Sequence, residues 1–204
     1  MPKVVPEYKE EAKARILSAA TQTFAERGYH GATMDDVARV IGVSKGAVYV
    51  YFKNKEELFQ EMCRRCTEDL ERNLNASFAG GTFFQAASVY FDKAMSDLAA
   101  HMFWLESLAE MPRNPSVKRM LQESYVRYNE ILVRFLDRLK VEGAVGKDVD
   151  NRSLAGVLMA LHDGVVAGMA QGLNESEAKK VWSDGAKLLL QGTVGHSSTN
   201  GRNG

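Results

Sequence analysis

Apolar residues recur every three to four positions along nearly the whole chain. In the first segment Ala12, Ile16, Ala20 and Phe24 fall four apart, which sets them on one face of a helix. This helix runs from about Tyr8 to Arg27. Gly28 is its stop signal, and Tyr29 is placed to pack back on Phe24. Thr33 opens a second helix, and Asp36 three residues later completes a capping box. That helix buries Val37, Ala38 and Ile41 and breaks at Gly42. Ser44 caps a third, very short helix, with Val43 and Val48 expected to anchor its inner side against Val37 and Ile41. Asn54 caps a fourth, with Glu57 three residues on.

The later helices are longer. The pattern places them at about 55–78, 82–100, 102–110, 115–141, 151–172 and 175–191. The breaks are AGGT at 79–82, MPRNP at 111–115, the turn 143–150 and the stretch 172–174. Strand-like alternation is nearly absent. The expected fold is all-α, with about nine helices: three in a head spanning 1–54, then a larger helical domain at 55–194. The Gly/Ser/Asn-rich tail GHSSTNGRNG at 195–204 is expected to be disordered.

The third helix is a poor one. It has at most two turns, few apolar groups, and a glycine, Gly46, that costs about 1 kcal/mol against alanine. Its place after a glycine turn explains this. Two short helices joined in this way suggest a helix-turn-helix, whose second helix lies in the DNA major groove. DNA then covers the outer face, and the small residues Gly46 and Ala47 let the backbone approach the duplex. Tyr49, Tyr51 and Lys55 sit at the flanks, where hydroxyls and an ammonium can bind phosphates, and Thr33 can do so on the other side. The alternative for each tyrosine is a packing role.

Charge changes the picture slightly. The net charge is zero, but residues 1–55 carry 9 Lys+Arg against 6 Asp+Glu, a balance of +3 that the rest of the chain reverses. A basic head on an acidic body is compatible with phosphate binding.

ILSAATQTFAERGYHGATMDDVARVIGVSKGAVYVYFKNKEELF, residues 16–59, resembles the N-terminal domain of TetR-family transcriptional regulators. The match extends over about residues 10–62. It rests on Ala20, Phe24, Gly28, Tyr29, Thr33, Ala38, Gly42, Val43, Gly46, Tyr49, Phe52, Lys55 and Leu58. The resemblance implies a homodimer that binds a palindromic operator, usually as a repressor, with a C-terminal helical domain that binds a small molecule and dimerises. Carried over by position, Thr33, Tyr49, Tyr51 and Lys55 would bind phosphates, and Ser44, Lys45, Gly46 and Ala47 would face base edges. Ala47 stands where a polar residue is common, and Val50 where an aromatic or basic one is frequent. Lys45 is then the long side chain left to read guanine, with Ala47 against a thymine methyl and a larger share of readout through DNA shape.

In the body, Gly156, Ala160, Gly164, Gly168 and Gly172 put a small residue at every fourth position of one helix. This is read as close packing, either within a subunit or across a two-fold dimer interface with Trp182, Gly185 and Leu189 of the last helix. The middle helices are rich in soft and aromatic groups, including Phe84, Met95, Phe103 and Met120. Trp104, Tyr125, Tyr128, Asn129 and Met159 are the candidates to line a pocket for a hydrophobic or amphipathic effector.

No nucleophile elbow, P-loop, dinucleotide fingerprint or helical metal motif occurs. No cofactor or metal is expected and no enzymatic activity. Cys63 and Cys66 form a C-x-x-C with no second pair nearby, and read as small buried residues. The absence of a secretory signal and the polar residues within the most apolar stretch, from Leu154, point to the cytoplasm and away from a membrane. The expected partners are double-stranded operator DNA, a small effector and a second copy of the chain. The alternative reading is a DNA-binding dimer without an effector, controlled by a partner protein or acting architecturally.

Overall fold

The computed structural model describes residues 6–77, 83–94 and 97–194. The expected AGGT break, Met95 and the tail at 195–204 lie outside the described residues, as does the side chain of Phe84. Among the described residues there are nine α-helices and no strand: α1 Pro6–Gly31, α2 Met34–Ile41, α3 Lys45–Tyr49, α4 Lys55–Ser77, α5 Phe83–Ala94, α6 Leu98–Glu110, α7 Pro115–Val141, α8 Asn151–Ala170 and α9 Glu175–Val194.

Local signals account for most helix ends. Gly28 takes φ 67 and bends α1, leaving one more turn that carries Tyr29. Gly42 ends α2 at φ 73, a left-handed conformation that glycine adopts without Cβ strain. One boundary differs from expectation. The sequence suggested helices at 82–100 and 102–110, but α6 already starts at Leu98. Asp97 is its cap and accepts a hydrogen bond from the Ala100 amide at 3.1 Å. An aspartate N-cap satisfies an otherwise orphaned amide, and no glycine or proline marks the spot.

The chain divides into two compact units. The first comprises residues 1–66 and 97–124. Its core joins α1, α4 and α6 through aromatic rings. Phe24 stacks on Tyr29 at 5.7 Å, and Phe59 meets Phe103 at 5.3 Å and Tyr29 at 5.2 Å. Lys13 of α1 also pairs with Glu61 of α4, which Arg64 holds from the next turn. The Arg64 hydrogen bond, followed by Lys13, brings the Glu61 carboxyl down to about 2.

The second unit comprises residues 67–96 and 125–204. The Trp182 indole donates to the Ala87 carbonyl at 2.9 Å, and its ring lies 5.5 Å from Tyr90. Helices α8 and α9 meet where a Cβ on Gly185 would come within 2.9 Å of Leu161. Helix α8 is long and apolar enough to cross a membrane by length and composition, and it packs on α9 where its Leu161 covers Gly185.

Candidate nucleic-acid interface

The turn between α1 and α2 is built around the carboxylate of Asp36. Its Oδ2 accepts from the Thr33 amide at 3.1 Å and the Thr33 hydroxyl at 2.6 Å. Arg27 and Arg39 each donate to Oδ1 at 3.0 Å. The Thr33 hydroxyl oxygen in turn accepts from the Asp36 amide at 3.2 Å. The Thr33 hydroxyl, then burial opposing it, then the arginines set the Asp36 carboxyl below the usual range, with the net shift downward. Asp36 therefore acts as a hub that fixes the start of α2.

Helix α3 is short because little holds it from inside. Ser44 caps it by accepting from the Ala47 amide at 3.3 Å. Val48 is fully buried, whereas Val43 is 40% exposed. This corrects the expectation that Val43 is an inner anchor: it falls before the helix starts and turns outward. Helix α4 begins with two side-chain caps: Asn54 accepts from the Glu57 amide at 2.7 Å, and Glu57 accepts from the Lys53 amide at 2.7 Å.

The eight residues expected at DNA do not all present themselves alike. Ser44, Lys45, Gly46 and Tyr49 lie on the exposed side of α3, and Ala47 is half-buried. Tyr51 is half-buried and packs against the core cluster of the first unit. Lys45 lies 3.7 Å from Asp35 of α2. Thr33 is exposed, but its hydroxyl proton and its amide are both given to Asp36, so in this arrangement neither is given to a phosphate. Lys55 is half-buried, and its ammonium donates to the Tyr29 carbonyl at 2.7 Å and the Ala32 carbonyl at 3.1 Å. Burial pushes the Lys55 amine downward, partly offset by Glu56 and Glu110. Without DNA, the charge of Lys55 ties α4 to the end of α1.

One exposed group escaped the sequence reading of the site, and another entered it only as a departure from the family pattern. The latter, Val50, is 77% exposed, and the former, the Arg39 side chain on α2, is 71% exposed. Val50 could have been found by counting two positions from the buried Val48.

The candidate effector residues fall in different units. Trp104 belongs to the first, half-buried against its core, with a buried indole N–H that meets no acceptor. Tyr125, Tyr128, Asn129 and Met159 belong to the second, where Tyr125 is 50% exposed. The second unit also holds an open cleft of about 440 Å³, lined by Leu74, Ile131 and Phe135 together with Glu71, Arg134 and Arg138. None of the five candidates lines it.

The candidate dimer residues also divide. Trp182 is buried against Ala87 and Tyr90, which removes its indole from the surface. Gly168 and Gly185 each face a leucine of the same chain, Leu173 and Leu161. Leu189 is half-buried, and Gly156 and Gly164 face open space, with Ala160 exposed between them. Val157, Val181 and Leu188 are exposed at 47%, 47% and 71% on the same two helices.

Comparison with known proteins agrees with this architecture. Residues 16–62 match the family model described as bacterial regulatory proteins, tetR family. Residues 82–191 match that of the BetI-type transcriptional repressor C-terminal domain. The chain is 27% identical over 195 residues to the HTH-type transcriptional regulator YfiR of Bacillus subtilis, covering 93% of this chain and 95% of the relative. It is 27% identical over 175 residues to the HTH-type transcriptional repressor AcnR of Corynebacterium jeikeium, covering 84% and 88%. The solved structure of Salmonella enterica GusR superposes with a TM-score of 0.74 at 25% identity, over 95% of this chain and 99% of that one.

Proposed function

The chain belongs to the TetR family of transcriptional regulators, and from that premise we propose that it is a homodimeric repressor, released from a palindromic operator by a small hydrophobic or amphipathic effector. The observation that carries the DNA reading is the outer side of α3. Ser44, Lys45, Gly46 and Tyr49 stand exposed there, on a helix held from inside by Val48. Dimerisation is supported by the exposed apolar side chains Val157, Val181 and Leu188 on α8 and α9, next to glycines that leave room for another helix. In a two-fold dimer the same surface would meet its copy. The effector is supported by Trp104, whose buried indole N–H a ligand oxygen would satisfy. Helix α4 supplies residues to both units and is the proposed lever. The effector releases DNA only to the extent that its affinity differs between the two states of the head. Such a regulator acts in the cytoplasm and performs no turnover.

The test is footprinting of the purified protein on the intergenic DNA upstream of its own coding sequence, with and without an extract of cellular small molecules. A protected palindrome that is lost on adding the extract is the expected result. Protection that persists with every fraction would favour the effector-free alternative, and absence of any protected or selected sequence would overturn the DNA reading.

A further inference from the structure

Val48 is fully buried and fixes which side of α3 faces inward. Two positions along an α-helix turn a side chain by about 200°, so Gly46 and Val50 lie opposite it. The helical backbone extends that far: Val50 has φ −63 and ψ −30, and its amide donates to the Gly46 carbonyl at 3.2 Å. Gly46 and Val50 therefore form the crest of the helix.

Neither residue serves the fold. A Cβ on Gly46 would meet nothing nearer than the Ser44 hydroxyl at 3.9 Å, and Gly46 is not among the glycines with positive φ. Alanine would suit the helix better, so the need for glycine lies outside the chain. Val50 is 77% exposed. The crest thus bares a stretch of backbone and holds up three apolar carbons, and the same head exposes Lys45 on α3, Arg39 on α2 and Lys53 just before α4. That charge suits a polyanion. The apolar group that base pairs offer in the major groove is the thymine methyl.

We infer that Val50 is the specificity-determining residue of α3, and that it packs on the 5-methyl group of an operator thymine which the bare backbone at Gly46 allows it to reach. The inference rests on the proposed reading of α3 as a recognition helix. It moves the methyl contact from Ala47, which is half-buried, to the residue that stands clear of the fold.

The test starts from binding sequences selected by the full chain from random duplex DNA. Each thymine of the selected half-site is replaced singly by deoxyuridine, which removes only the methyl. The expected result is one thymine per half-site whose replacement weakens binding about fourfold, the transfer free energy of one buried carbon. In Val50→Ala that loss disappears while the thermal unfolding midpoint is unchanged. A loss that persists in Val50→Ala, or a half-site in which no methyl matters, overturns the inference and leaves DNA binding standing. If no sequence is enriched at all, both the inference and the reading beneath it fall.

Discussion

The ammonium nitrogen of Lys55 lies 2.7 Å from the carbonyl oxygen of Tyr29. It also reaches the Ala32 carbonyl and sits 4.5 Å from the centre of the Tyr29 ring. One charge thereby closes the end of α1 and fixes where α2 begins. Lys55→Met keeps the stem and removes the donors. It should lower stability by about 1.5–3 kcal/mol, the worth of hydrogen bonds from a charged group. It should weaken DNA binding through the displaced head, yet leave the salt dependence of binding unchanged. A phosphate ligand would instead lower the salt slope by about one. Urea unfolding and an anisotropy titration over several salt concentrations separate the two.

Gly46→Ala should raise stability and lower affinity together. The substitution removes about 0.5–1 kcal/mol of helix penalty, and the added methyl meets open space within the chain. The same methyl stands where the duplex would approach. Unfolding and binding measured on one preparation should move in opposite directions. Unchanged binding would show that nothing approaches the backbone there.

Acid should loosen the first unit through Glu61 and Asp36. Both carboxyls are depressed in the folded chain, Glu61 to about 2. Depressed carboxyls contribute stability that is present above their ordinary range near pH 4 and is lost as pH falls toward the folded values. Glu61 keeps contact with solvent, so screening limits its share to about 1 kcal/mol. Glu61→Gln should therefore be less stable than the parent at pH 7 and nearly equal to it near pH 2. Unfolding midpoints across that range check the sign.

Leu188→Asp should give a folded monomer. Leu188 is 71% exposed within one chain, so the substitution costs the subunit little, while a dimer face would have to bury the charge. Sedimentation should show the parent at twice the mass of the variant, with equal helicity. A variant that remains dimeric would place the interface elsewhere.

Much of the head was legible because its signals are local. Thr33 with Asp36, Ser44 with Ala47, and Asn54 with Glu57 all act across three residues, and the glycine bend of α1 and the glycine end of α2 act over even less. What the pattern leaves out involves partners distant in sequence or a missing punctuation residue. Lys55 finds its carbonyls across 26 and 23 positions, and Trp182 finds Ala87 across 95. Nothing in a linear pattern distinguishes a lysine that points at solvent from one folded back on a helix end. The start of α6 was misplaced because Asp97 caps it without a glycine or proline nearby. The packing of Phe103 on Phe24 and Phe59, which brings α6 into the first unit, has no signal in the spacing of apolar residues.

Helix α3 is attached to its own protein mainly by Val48. The side chains on its outer side carry almost none of the stability, so they are free to vary while the scaffold is kept. Lineages descended from such a chain can acquire new target sequences by substitution at these positions without passing through unfolded ancestors. The weakness of this helix as a helix is thus a source of evolvability: selection can retune what it reads independently of what keeps the chain folded.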